Sequence, residues 1–339
     1  MHAFVLTGPR DGGVQEVPIP VAGAGEARIA VERVGVCGTD AEFFTGEMAY
    51  LHQGHSQYPM ILGHEWCGVV VAVGDGVDPG WVGTRVMGDT MLGDGTCRRC
   101  GRGVQHVCEY REEVGIRGGR AGALAEQLAV PVSSLHVLPH SVDATLGALV
   151  EPAGNALRAA RATNAADGDR VLVIGPGTIG LLVAMFLRAH HAEVHLLGVT
   201  DRSLAFARDL GFERTWLHTV DDATPFDAVV DASHSADVPA LALDLVEPAG
   251  RVVYIGLAGT PSLIDTRALA LNDITAVGIL SASPALSDTI AAFADGIIDP
   301  RPLVAATIGL DEVASVLAGD RPVGAGPGPK IHIDPTRIA

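Results

Sequence analysis

From Asp169 onward, two kinds of apolar pattern alternate along the chain. Short runs rich in β-branched residues predict buried strands at Arg170 to Ile174, Glu193 to Leu197, Phe226 to Val230, Arg251 to Ile255 and Ile274 to Leu280. A further strand is expected near Trp216, and helical spacing, as in Leu181 to Arg188, fills most of the intervals. Strand and helix in alternation predict an α/β unit built on a doubly wound parallel sheet. The earlier chain is read as strands and turns, with β-branched runs at Ala27 to Val34 and Cys67 to Val73. Turn signals Gly74-Asp75-Gly76 and Asp78-Pro79-Gly80 follow the second run. The last stretch, Pro284 to Ala339, carries an amphipathic helix at Leu286 to Gly296, another near Asp311 to Leu317, and a closing strand at Lys330 to Ile333. Pro322 to Pro329 is expected to be a surface loop.

A length of 339 residues allows about two domains. The formal charge of −17 argues against nucleic acid or an anionic membrane as partner, because both would repel the surface. The N-terminus, Met1 to Thr7, has no basic start followed by an apolar run, so no signal peptide is expected and a cytoplasmic location is. Val171 to Leu187 is the most apolar stretch, but four interruptions, at Gly175, Pro176, Gly177 and Gly180, suit a strand, a loop and a helix better than a membrane span. Of the five cysteines, three fall within one 12-residue stretch, which fits metal binding better than a disulfide framework.

Two short segments carry chemistry in the first half. Gly35-Val36-Cys37-Gly38-Thr39-Asp40 and Gly63-His64-Glu65 supply a thiolate, an imidazole and a carboxylate, the three ligand types a tetrahedral zinc site takes. Singly, each has a plainer explanation, since a lone cysteine is usually a small buried hydrophobe. A third segment, Gly175-Pro176-Gly177-Thr178-Ile179-Gly180, follows a strand and opens a helix, the context in which such glycines cradle a pyrophosphate. A Lewis acid and a hydride carrier in one chain point to an alcohol dehydrogenase.

With these motifs in order, together with Val150-Glu151-Pro152 and a cysteine cluster, the chain resembles the zinc-dependent medium-chain dehydrogenase/reductase family over nearly its full length. The resemblance implies a GroES-like, mostly β catalytic domain (1–150 and 284–339) with an inserted Rossmann domain (151–283). It implies catalytic zinc at Cys37 and His64, with Glu65 and Glu151 both approaching the metal and either able to bind it. Zinc in such a site polarises the substrate oxygen. Thr39 matches the hydroxyl that hydrogen-bonds the alcohol, and Asp40 the acid that orients the ligand histidine. Where many relatives place a relay histidine, this chain has Glu42, so the outer proton path is open, with His52 and His55 as nearby candidates.

Asp94, Cys97, Cys100 and Cys108 have the spacing of the family's structural zinc lobe (about 90–110), with aspartate in the first ligand position, so two zinc ions per chain are expected. NAD sites usually carry an acid about 20 residues beyond the fingerprint. This chain has Gly198 there, and Thr200 and Arg202 follow, which favours NADP; Asp201 would support NAD instead. The expected reaction is hydride transfer between a secondary alcohol of polyol, sugar or cyclitol type and NAD(P). A biosynthetic NADPH-dependent carbonyl or iminium reductase, or a member of the fold without turnover, are the alternatives. A homo-oligomer is expected.

Overall fold

The computed structural model describes residues 1–337; the last two residues of the C-terminal segment lie outside them. The chain divides into two compact units. The first comprises Met1–Glu151, Leu286–Asp295 and the chain from Arg301 on, and the second comprises Pro152–Ala285 with Gly296–Pro300. The second unit thus interrupts the first along the sequence.

The first unit is organised around the Glu26–Gly35 strand, which alternates buried and half-buried residues as one face turns to a core. It pairs antiparallel with Glu65–Val73 and, near its end, with Lys330–Ile333, so that Gly35 stands opposite both Glu65 and His332. Two segments read as separate motifs are therefore neighbours on one sheet, with a strand from the far end of the chain beside them. Inside, Phe4, Leu6, Ile29, Phe43, Leu62, Trp66 and Leu128 form the core. Each such side chain contributes about 1.5–3 kcal/mol when removed from water.

The second unit is a six-stranded sheet in the order Thr215–Leu217, Glu193–Gly198, Arg170–Ile174, Phe226–Asp231, Val246–Tyr254, Thr275–Gly278. Every pairing in it is parallel. The predicted strands are present, the one near Trp216 included. Numbered from Arg170–Ile174, the order is 3-2-1-4-5-6, the Rossmann arrangement. Its direction reverses between Arg170–Ile174 and Phe226–Asp231, and there the carboxyl ends of the strands leave a crevice for a ligand. The fold is α/β: a mostly β unit and a doubly wound parallel one.

Candidate active site

Asp40 ties the two metal-type segments of the first unit together. It is fully buried at the start of the short helix Gly38–Thr45, where one carboxylate oxygen accepts the Cys37 N–H at 2.9 Å and the other the Gly63 N–H at 3.3 Å. That second oxygen also lies 3.5 Å from His64 Nδ1. Burial by itself would lower the His64 pKa, but the neighbouring Asp40 carboxylate raises it above the usual histidine value. Cys37 and His64 are thereby fixed relative to each other by one buried charge.

Ligand atoms of Cys37, His64 and Glu65 all lie within 4.8 Å of one another. The His64 ring is buried, with Nδ1 turned to Asp40 at 3.5 Å. An imidazole, a thiol and a carboxylate brought together in this way form a donor set that fits a zinc ion. Glu151, buried on the long helix Ala144–Ala162, is outside that set of three. Thr39 is half-buried on the Gly38–Thr45 helix, and its hydroxyl bonds to none of the described residues. Glu42 follows one turn later and is exposed, with its pKa raised by desolvation and then by Glu47. His52 bonds the Gly46 carbonyl at 3.1 Å, and His55 lies 3.4 Å from Arg117.

Sequence reasoning missed Lys330. The residue is buried in the closing strand, and its ammonium donates to both Glu65 oxygens, at 2.8 and 2.7 Å, and to the Val36 carbonyl at 2.9 Å. Glu65 can lean across to it because Gly35 has no side chain: a Cβ at Gly35 would fall 2.1 Å from Glu65 Oε2. The glycine that opens the first motif thus serves the carboxylate of the second. Thr90 was also missed; its hydroxyl donates to the His64 carbonyl at 3.2 Å.

The cysteine lobe brings its four predicted residues together. Cys97 Sγ is 3.7 Å from both Cys100 Sγ and Cys108 Sγ, and Asp94 Oδ1 is 3.3 and 3.4 Å from Cys100 and Cys108. A tetrahedron with zinc–sulfur bonds of about 2.3 Å and a zinc–oxygen bond of about 2.0 Å has edges of roughly 3.8 and 3.5 Å. The spacing fits that shell, and the cysteines are free thiols. N–H groups of Thr96 and Cys97 hold the Asp94 carboxyl well below the usual carboxylate range, and the Cys100 N–H lowers the Cys97 thiol.

In the second unit the three fingerprint glycines do separate work. Gly175 ends its strand at φ 97°, where a Cβ would press on the Ala232 carbonyl. Gly177 caps the Thr178–Ala189 helix and has open space around it, so a ligand can approach the backbone. At Gly180 a Cβ would stand 2.0 Å from the Gly175 carbonyl oxygen, so the helix can meet the loop only without one. The first N–H groups of that helix, from Thr178 and Ile179, are free of intrahelical partners and suit a phosphate. Pro176 fills the other side of the loop: a Cβ at Gly198 would come within 2.9 Å of it and 3.0 Å of Leu204. Thr200 caps the Asp201–Asp209 helix, its hydroxyl accepting from the Ser203 N–H and paired with the Ser203 hydroxyl at 2.8 Å. Arg202 is exposed on the first turn and forms no ion pair among the described residues.

Two family models match the chain: the alcohol dehydrogenase GroES-like domain over residues 23–140 and the zinc-binding dehydrogenase domain over residues 178–295. An L-threonine 3-dehydrogenase of Rhizobium rhizogenes is 28% identical over 331 residues, 92% of this chain and 93% of the relative. A zinc-binding dehydrogenase of Sinorhizobium meliloti, solved bound to NADP, superposes with a TM-score of 0.88 at 26% identity, covering 98% of this chain and 99% of that one. The alcohol dehydrogenase of Thermus sp. ATN1 superposes equally well, with a TM-score of 0.88 at 26% identity and the same coverage. The chain belongs to the zinc-dependent medium-chain dehydrogenase/reductase family. As such it is an NAD(P)-dependent alcohol dehydrogenase acting on a small molecule. Among the described residues no helix is long and apolar enough to cross a membrane.

Proposed function

We propose that Cys37 and His64, with Glu65 or Glu151 as the third protein ligand, hold a catalytic zinc. The reaction is hydride exchange between NADP and a secondary alcohol of polyol, sugar or cyclitol type. The observation that carries this reading is the thiol, imidazole and carboxylate set within 4.8 Å, with the free Thr39 hydroxyl two residues past Cys37. Zinc, when bound, polarises the substrate oxygen and eases loss of its proton. Thr39 accepts a hydrogen bond from the substrate hydroxyl and would relay its proton only by passing its own hydroxyl proton to an acceptor beyond, Asp40 holds His64 in orientation, and Lys330 anchors the Glu65 carboxylate.

The Asp94, Cys97, Cys100 and Cys108 lobe holds a second, structural zinc, because its spacing matches a tetrahedral shell. NADP is favoured by Arg202, a cation with no carboxylate partner among the described residues, four residues past Gly198, which stands where an acid would repel a 2′-phosphate. A hydroxyl-rich substrate suits the polar run Tyr50 to Tyr58, which is largely exposed. The protein works in the cytoplasm as a homo-oligomer.

The test is a panel of polyols, sugars and cyclitols with NADP and with NAD, followed through the near-ultraviolet absorbance of the reduced nicotinamide. Cys37→Ser and His64→Ala should each abolish turnover, by 10³-fold or more on the order of what loss of a catalytic metal costs. NADP affinity should stay within about twofold, because the fingerprint lies on the other unit. Turnover at the wild-type rate in either variant would end the zinc reading.

A further inference from the structure

His332 is a fully buried histidine whose two ring nitrogens meet no hydrogen-bonding atom of the protein. It lies in the Lys330–Ile333 strand, opposite Gly35 on one side and Thr307 on the other. Alternate residues of a strand share a face, so Lys330, His332 and Asp334 form one row. Both neighbours in the row are committed. Lys330 spends all three of its hydrogens on Glu65 and Val36, and Asp334 accepts from Thr336 and stands 3.4 Å from Arg33 and 3.2 Å from Arg337. Arg33 has an unmet need of its own: its Nε is buried without a hydrogen-bond partner, while Nη1 is the nitrogen that faces Asp334.

Burial, Lys330 and Arg33 together push the His332 pKa down to about 3, so the ring is neutral. A neutral imidazole offers one donor and one acceptor. Arg33 lies two residues before Gly35, the residue opposite His332, so the two side chains share one sheet face, and the buried Arg33 Nε adds a donor to the ring's one donor and one acceptor. A monatomic anion could take the donors but leaves the ring acceptor unmet. Water satisfies both kinds of group.

We propose that Arg33 and His332 enclose an internal water site, and that His332, through this water, is a positioning residue for the Lys330–Glu65 pair. The physical need is separation of two ion pairs that share one sheet face. Arg33 and Lys330 are both cations, and Glu65 is on the same face, opposite Gly35. Water that accepts the Arg33 Nε hydrogen keeps the guanidinium on Asp334 and leaves Glu65 to Lys330. In this way the carboxylate behind Cys37 and His64 keeps one partner.

The experiment begins with a high-resolution crystal structure of the zinc-loaded wild-type chain. An ordered water about 2.7–3.2 Å from a His332 ring nitrogen and from an Arg33 nitrogen is expected. Finding an anion there, or both ring nitrogens bonded directly to protein atoms, overturns the proposal. His332→Gln, whose amide offers the same donor and acceptor, should keep the water, the zinc dissociation rate and the absorption bands of the cobalt-substituted protein. His332→Leu should lose the water, speed zinc loss about tenfold, as outer partners of metal ligands commonly do, and shift the cobalt bands. If His332→Leu fails to fold, the wild-type water and the behaviour of His332→Gln decide alone. A folded His332→Leu with unchanged zinc loss and cobalt bands refutes the positioning role. The water readout is independent of the catalytic assignment, whereas a chain that binds no cobalt at Cys37 and His64 refutes the zinc reading first.

Discussion

Arg202 and Lys330 show what single residues reveal and conceal. Gly198 stands where an acid would select NAD, but its place has a second cause, since any side chain there would crowd Pro176 of the fingerprint loop and Leu204. Adding an acid at 198 would disturb the loop as well as the charge, so Arg202 is the cleaner probe. Arg202→Ala should weaken NADP binding about tenfold, close to 1.4 kcal/mol for one charge-assisted contact, and leave NAD nearly unchanged. Titration of both dinucleotides into the variant measures this, and equal weakening of the two would point to Asp201 and a ribose contact instead. Thr200, offered by the sequence as a phosphate ligand, spends its hydroxyl on Ser203. Cys37, Asp40 and His64 were legible because they fall in two short segments with recognisable chemistry. Lys330 was not, because it is 265 residues from Glu65 and sits in a strand that reads as ordinary core. Only the pairing of the Lys330–Ile333 strand with the end of Glu26–Gly35 brings it into place.

At the scale of elements, legibility followed how local each signal is. The fingerprint turn is specified by residues within one loop, and its strand and helix fall where the apolar pattern put them. The short helix Gly38–Thr45 was read only as a motif, because it is eight residues long and is held by the Asp40 and Cys37 contact more than by periodicity. The Gly180 contact yields a direct test. Gly180→Ala places a methyl group 2.0 Å from the Gly175 carbonyl oxygen, which the loop can accommodate only by shifting. The expected cost is about 1–3 kcal/mol of stability in the second unit, with dinucleotide binding lost and zinc content unchanged. Calorimetry, a binding titration and metal analysis on one preparation separate these effects; unimpaired binding would contradict the close-approach argument. The cysteine lobe is a second self-contained element. Metal analysis should find close to two zinc ions per wild-type chain and close to one in Asp94→Ala, because three thiolates with no fourth ligand leave the shell open. Two ions retained in Asp94→Ala would show that the carboxylate is not a ligand.

At the scale of the whole molecule, the exposed outer edge of the parallel sheet bears on how copies of the chain associate. Parallel sheets are ordinarily buried on both faces and guarded at their edges. Here the Thr275–Gly278 strand is mostly exposed and contains no lysine, proline or charged residue. Large apolar side chains of the same unit are exposed too: Leu263 at 90%, Leu257 at 72%, Leu271 at 70% and Leu280 at 41%. A second copy meeting this edge about a twofold axis would pair the strand with itself, antiparallel, and would withdraw leucines from both copies at about 1.5–3 kcal/mol each where burial is complete. Opposing this, each chain carries a formal charge of −17, and the repulsion between two such chains is screened by salt. The association should therefore strengthen as ionic strength rises, the reverse of a contact made by ion pairs. Light scattering on a sizing column should give a multiple of 35.0 kDa for the wild type, increasingly so with added salt. Ala276→Lys combined with Leu271→Glu should return the mass to 35.0 kDa while the fingerprint still binds dinucleotide. A wild-type chain that remains at 35.0 kDa at micromolar concentration and high salt would show that this edge is tolerated bare.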